Sequence, residues 1–145
     1  MNNISQRIIS IFLYTYPLKA SLPFGYYLFM QYPSLKIISF ITLPLALIEN
    51  SLPFGNILMF FLIYIGLARN PKVTYFIRYN ACQSILINII LILLGYLVQI
   101  IQLSELSSLL FLSSIAVFIF VSIKCVLGLE PDLPLISNSA RIQIY

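Results

Sequence analysis

The sequence predicts an all-α membrane protein: four transmembrane helices preceded by short interfacial helices, all in one integral membrane domain over residues 1–145. Three observations predict it. Of 145 residues, 61% are hydrophobic and only 8% charged, with a mean hydropathy of +1.01. A soluble domain carries about 25% charged residues because its surface faces water, so eight Lys/Arg and four Asp/Glu cannot coat a water-soluble particle of this size. One crossing needs roughly 20 apolar residues, so the chain holds about four crossings with short flanks and no separate soluble domain. Finally, the charges sort by side when exactly four crossings are drawn, as set out below.

The elements follow from the apolar runs and their breakers. Residues 5–16 form a short amphipathic candidate ending at Pro17, with Arg7 and Lys19 at its edges. Residues 22–32 are also too short to cross; Pro23, Gly25 and Pro33 bracket them, and Phe24, Tyr26, Tyr27, Phe29 and Tyr32 suit the headgroup zone. Spans are expected at about 35–48, containing Pro44, and 53–68, both short for a ~30 Å hydrocarbon core. Longer spans follow at about 76–103 and 106–129. Pro131 and Pro134 then stop the helix and leave 130–145 as a polar-side tail. Ser-Leu-Pro-Phe-Gly occurs at 21–25 and again at 51–55. Two copies make no repeat architecture; proline near a helix start reads them as a twice-used entry signal.

With four crossings, Arg7, Lys19, Lys36, Arg69, Lys72, Arg78, Lys124 and Arg141 all fall on the side holding both termini, and Glu49 and Glu105 occupy the opposite loops. The basic bias marks the side of insertion, so both termini are expected in the cytoplasm or its plastid equivalent.

Two polar stripes lie within the long spans. Ser84, Asn88, Leu91, Gly95, Val98 and Gln102 follow alternating steps of four and three and so share one helix face, with Asn80 leading into it. On the next helix Ser107, Ser114, Ser122 and Cys125 lie within roughly 80° of one another. Polar groups are costly against lipid tails. The stripes therefore serve either helix packing, with small residues allowing close approach, or the lining of a polar path. Arg78, one turn into its helix, reads as a side chain snorkelling to the interface, with a neighbouring subunit or anionic lipid as the sharper alternative. The basic turn Arg69-Asn70-Pro71-Lys72 reads as a topology determinant.

Several function classes are disfavoured. Nucleotide-binding loops and Ser/His or Cys/His pairings are absent, and so is histidine. Cys82 and Cys125 sit in apolar stretches without metal-ligand spacing. Four acids, none expected at mid-membrane, give little for acid–base catalysis or ion coupling. The expectation is a non-enzyme with no cofactor, no metal site and no nucleic-acid partner.

LPFGYYLFMQYP (22–33), the second PFG followed by MFFLIYIGLARNPKV (59–73), FIRYNACQS (76–84) and GLEPDLPLISNSARIQ (128–143) together resemble the Tic20 family, including its plastid-encoded algal members. Phe76, Ile77, Arg78, Asn80 and Gln83 carry the most specific motif; Asn88 stands where many relatives have Asp, and Ala81-Cys82 replaces a pair ending in Met. The resemblance implies four membrane helices and a part in preprotein import across the chloroplast inner envelope, as a channel or core component among other TIC subunits. Its motif residues, with the polar path or packing face, are Arg78, Asn80, Gln83, Ser84, Asn88, Gln102, Ser114 and Ser122. In that setting the basic bias puts both termini in the stroma, or in the cytoplasm if the host is a bacterium. So small a chain is expected to form homo- or hetero-oligomers. Twenty-five isoleucines against five valines and six alanines fit the AT-rich codon usage of plastid genomes, a bias many bacteria share; no transit segment is recognised, so in a plastid host synthesis inside the organelle is expected. The alternatives are a small-solute or ion transporter and a purely structural scaffold.

Overall fold

The first helix sets the architecture. In the computed structural model, which describes residues 2–144, α1 spans Ile4–Ser21 and opens with the Gln6 side chain accepting from the Asn3 N–H at 3.2 Å. Residues 13 to 18 are buried without a break, so every face of the helix is covered over more than a turn. That packing carries α1 straight through Pro17, although proline withdraws one helical N–H. The segment expected to lie at the interface over 5–16 and to stop at Pro17 is thus longer by a turn and wedged between the two long helices.

Those helices are α5 (Tyr75–Ile101) and α6 (Ser104–Val126), joined by a turn in which Gln102 takes a left-handed conformation. Both are long and apolar enough to cross a bilayer. α1 runs alongside α5 in the same direction: Ser10 meets Asn80, Tyr14 meets Asn80 and Gln83, and Phe24 lies against Gly95. From Asn80 to Gly95 is about 22 Å at 1.5 Å per residue. α6 runs the other way. Arg7 reaches the Val126 carbonyl at 2.9 Å, while at the far end Ser107 donates to the Phe24 carbonyl at 3.0 Å.

Leu22–Gly25 forms a 3-10 turn, followed by α2 (Tyr26–Gln31), which leaves Tyr26, Tyr27 and Met30 exposed. A second 3-10 turn, Pro33–Lys36, leads into α3 (Ile37–Asn50). α4 (Gly55–Phe61) continues as a π-helical segment, Leu62–Ala68. The segments Pro33–Asn50 and Gly55–Ala68 are bent by 98° to each other. This corrects the two independent short spans expected at 35–48 and 53–68. By length and apolarity the described residues hold two crossings, or three if the bent pair counts as one broken crossing. The break has a local cause: Pro53 cannot continue the helix, and Phe54 sits at φ 53°. A Cβ on Gly55 would overlap the Glu49 carbonyl oxygen, so only glycine lets α4 fold back so tightly on α3. The two Ser-Leu-Pro-Phe-Gly copies therefore do different work. The first continues α1 into a tight turn with Gly25 pressed on the Phe111 ring, while the second makes the bend.

The segment expected as a tail is packed as well. Pro131 and Ser137 are buried, and α7 (Ile136–Ile144) lies back along the start of α5. Leu133 and Ile136 pack into the cluster of Tyr14, Phe76, Ile87, Leu91, Val121 and Cys125 between α5 and α6. Met1 and Tyr145, the ends of the expected N-terminal segment and tail, lie outside the described residues. Asn2 donates to the Gly128 carbonyl and Arg78 to that of Ile144, so both described ends share one end of the bundle. Arg7, Arg69, Lys72, Arg78, Lys124 and Arg141 gather there. Lys19 and Lys36 do not: α3 begins beside Leu18 and Phe111, toward the opposite end. The expected sorting of all eight basic residues to one side is corrected on these two positions.

Candidate functional site

The first half of α5 carries a closed polar belt. Asn80 is fully buried; its amide donates to the Phe76 carbonyl (2.7 Å) and to Ser10 Oγ (3.3 Å), and its oxygen accepts from the Tyr14 hydroxyl (2.8 Å). One turn on, Gln83 donates to the Pro131 carbonyl (3.2 Å) and to Ser137 Oγ (3.4 Å), and accepts from Tyr14 (3.3 Å). Tyr79 adds a bond to the same Pro131 carbonyl at 2.8 Å. These groups join α1, α5 and the 131–137 segment with their hydrogen bonds made, which is the arrangement that makes buried polarity tolerable. Chemically the belt is a fastening, with no nucleophile beside a base.

Arg78, on the same turns of α5, makes a separate clasp. Its guanidinium donates to the carbonyls of Ala68 (3.2 Å) and Ile144, the last residues of the π-helical segment and of α7. Helix ends leave carbonyls without partners and favour a cation. The side chain expected to snorkel instead ties two helix ends to the base of α5. Ser84 turns back on the Ala81 carbonyl (2.9 Å) and Ser114 on that of Leu110 (2.9 Å). Ser122 is half-buried and its hydroxyl finds no partner. Gln102, at the exposed C-terminal turn of α5, leaves the stripe that Ser84 and Asn88 keep to the interior.

Asn88 leads to a second polar group. It is the middle residue of α5, thirteen from either end, only 3% exposed, and its side-chain oxygen has no hydrogen-bond partner. It lines a cavity of about 530 Å³ with Tyr16 and Lys19 of α1, Glu49 and Asn50 of α3, and Asn56 of α4. Lys19 and Glu49 form an ion pair across it. Glu49 is 5% exposed, and its second carboxylate oxygen is buried without a donor. Tyr16 directs its hydroxyl at the Asn56 side-chain oxygen at 3.4 Å.

The cavity corrects the expectation that Glu49 faces the side opposite Lys19: the two pair beside the middle of α5. Of the residues singled out from the sequence, the structure brings Asn80 and Gln83 into the belt, gives Arg78 a clasp of its own and sets Asn88 at the cavity; Ser84, Gln102, Ser114 and Ser122 join none of these. Tyr16, Lys19, Glu49 and Asn56 were missed. The available signal was Lys19 inside an otherwise apolar run, together with Glu49-Asn50 directly before the second Ser-Leu-Pro-Phe-Gly. Reading Pro17 as a stop hid it. No group of three His, Cys, Asp or Glu suited to a metal occurs among the described residues.

Comparison with known proteins bears on the whole chain. A family model described as "Chloroplast import apparatus Tic20-like" matches residues 3–140. A Tic20 family protein of Synechocystis sp. is 33% identical over 95% of this chain and 92% of its own length. Protein TIC 20-II, chloroplastic, of Arabidopsis thaliana is 26% identical over 97% of this chain and 73% of its own. The Tic20 family protein Ycf60 of Porphyra purpurea is also 26% identical, over 97% and 76%. On a match that runs from the first turn of α1 to α7, this chain belongs to the Tic20-like family of the chloroplast import apparatus.

Proposed function

We propose that this chain is a non-enzymatic membrane subunit of a protein translocon and takes part in preprotein import across the chloroplast inner envelope as a channel or core component. The observation that carries this is the family match over residues 3–140, which takes in the belt and the cavity alike. The working topology is four crossings with both termini in the stroma. Length and apolarity allow three of the four, α5, α6 and the bent α3–α4 pair, and we take α1, packed along α5, as the remaining one. The cluster of six basic side chains at the end holding Asn2 and Ile144 supports this orientation; in a bacterial plasma membrane the same end would face the cytoplasm. At 16.6 kDa the chain is too small to enclose a polypeptide pore alone, so other TIC subunits or further copies complete the passage.

The Lys19–Glu49 pair gives one observation to the rival reading of a small-solute or ion transporter. Conditional removal of the chain, followed by uptake of a radiolabelled preprotein into isolated plastids, separates the two. Import is expected to fall while solute uptake is unchanged. Normal import with lost solute or ion flux overturns the translocon reading.

A further inference from the structure

The chain after α6 enters the bundle and leaves it again. Past Leu129 it runs inward beside α5: the Pro131 carbonyl accepts from Tyr79 and Gln83, and Leu133 and Ile136 pack on the cluster that holds Ile87 and Leu91. α7 then returns to the start of α5, where the Ile144 carbonyl accepts from Arg78. Nine residues of α5 separate Arg78 from Ile87, about 13 Å at 1.5 Å per residue, and the nine residues of α7 cover the same distance. With α5 centred in a ~30 Å hydrocarbon core, that core begins near Arg78. The turn at 133–136 therefore lies close to mid-depth.

The outward face of this hairpin is polar. Asp132 is 72% exposed, and it shares the half-exposed Arg141 guanidinium with Glu130, at 3.1 and 3.5 Å. On α7 the exposed residues are Asn138, Ser139, Ile142 and Gln143. α6 differs at the same level, which Cys125 facing Asn80 fixes: its exposed residues there are Ile119, Phe120 and Ile123. Polar side chains and irregular main chain persist at membrane depth only against protein or water. Protein is the costlier cover here. Glu130 and Asp132 have one arginine between them, so a dry contact would enclose an unmatched carboxylate, whereas water solvates both.

We propose that residues 129–144 form a re-entrant hairpin whose outer face, with Glu130, Asp132, Asn138, Ser139 and Arg141, lines a water-filled vestibule. The vestibule opens at the end of the bundle holding Asn2 and Ile144, and the apolar turn of Leu133, Pro134 and Leu135 closes it near mid-depth. It carries water about 13 Å into the bilayer, which leaves little more than half of the hydrocarbon for a polar group to cross. The inference rests on α5 and α6 crossing the membrane and not on the import role.

The test measures how fast a charged, membrane-impermeant methanethiosulfonate modifies single added cysteines in the full chain, in its own membrane opened to both sides. Asn138→Cys and Ser139→Cys sit on the hairpin face; Ile119→Cys and Ile123→Cys sit at the same level on the exposed side of α6. The parent chain, whose Cys82 and Cys125 are buried, supplies the background. Modification at 138 and 139 is expected to be at least tenfold faster than at 119 and 123. Rates as slow as those on α6 overturn the vestibule, because lipid or a dry partner then covers the face. Fast modification at all four positions also overturns it, because that level then lies outside the bilayer. In sealed vesicles, 138 and 139 should react only from the side that reaches Lys72→Cys; reaction from the other side overturns the opening assigned here.

Discussion

Removing the Lys19 charge leaves Glu49 ionised, 5% exposed and without a partner on either oxygen. Breaking a buried ion pair on one side costs about 3–5 kcal/mol. Lys19 is 28% exposed and the cavity beside it admits water, so Lys19→Met is expected at the low end, about 3 kcal/mol. Glu49→Gln should cost less, about 1.5 kcal/mol, because the freed ammonium can turn into the cavity and hydrate. The double variant carries no charge there and should cost only about 2 kcal/mol, giving a coupling of roughly 2.5 kcal/mol. Reversible unfolding in mixed detergent micelles, followed by far-UV circular dichroism, measures all four corners of the cycle. Costs that add to within about 0.5 kcal/mol would refute the pairing and with it the placement of α3 against α1.

Three further outcomes follow from the packing. Gly55→Ala should destabilise by more than about 2 kcal/mol in the same unfolding assay, since the new methyl meets main chain, which cannot rotate away as a side chain can. Tyr14→Phe should cost about 1–2 kcal/mol, because it withdraws the one hydroxyl that Asn80 and Gln83 both accept from; no loss would show the belt to be dispensable. Arg78→Met frees the carbonyls of Ala68 and Ile144. Limited proteolysis should then cut within 136–144 at least several-fold faster than in the parent chain, whereas an unchanged rate would remove the clasp from the account.

The residues that resisted reading from the sequence have a common reason. Asn80 was legible because a polar group in an apolar helix demands a protein neighbour, whereas Gln83 was marked only by the family motif. Which neighbour they meet was not legible: Tyr14 lies 66 residues away from Asn80, on a segment that looked interfacial. Lys19 and Glu49 misled more seriously. Assigning charges to sides assumes that each charge seeks water or headgroups, and a charge that finds an opposite partner inside the bundle escapes that rule.

From the sequence alone come the membrane as solvent, the helical class, the two long spans and the polar face of α5, because composition and periodicity respond to lipid directly. The tertiary structure alone decided that α1 runs through Pro17 into the core, that 35–48 and 53–68 are two arms of one 98° bend, that 131–144 is packed, and that Lys19 and Glu49 meet half way along α5. Each of these depends on which helix faces cover one another. A proline or a charge is excluded from a helix interior or a bilayer only until neighbours supply the packing or the partner that it lacks locally.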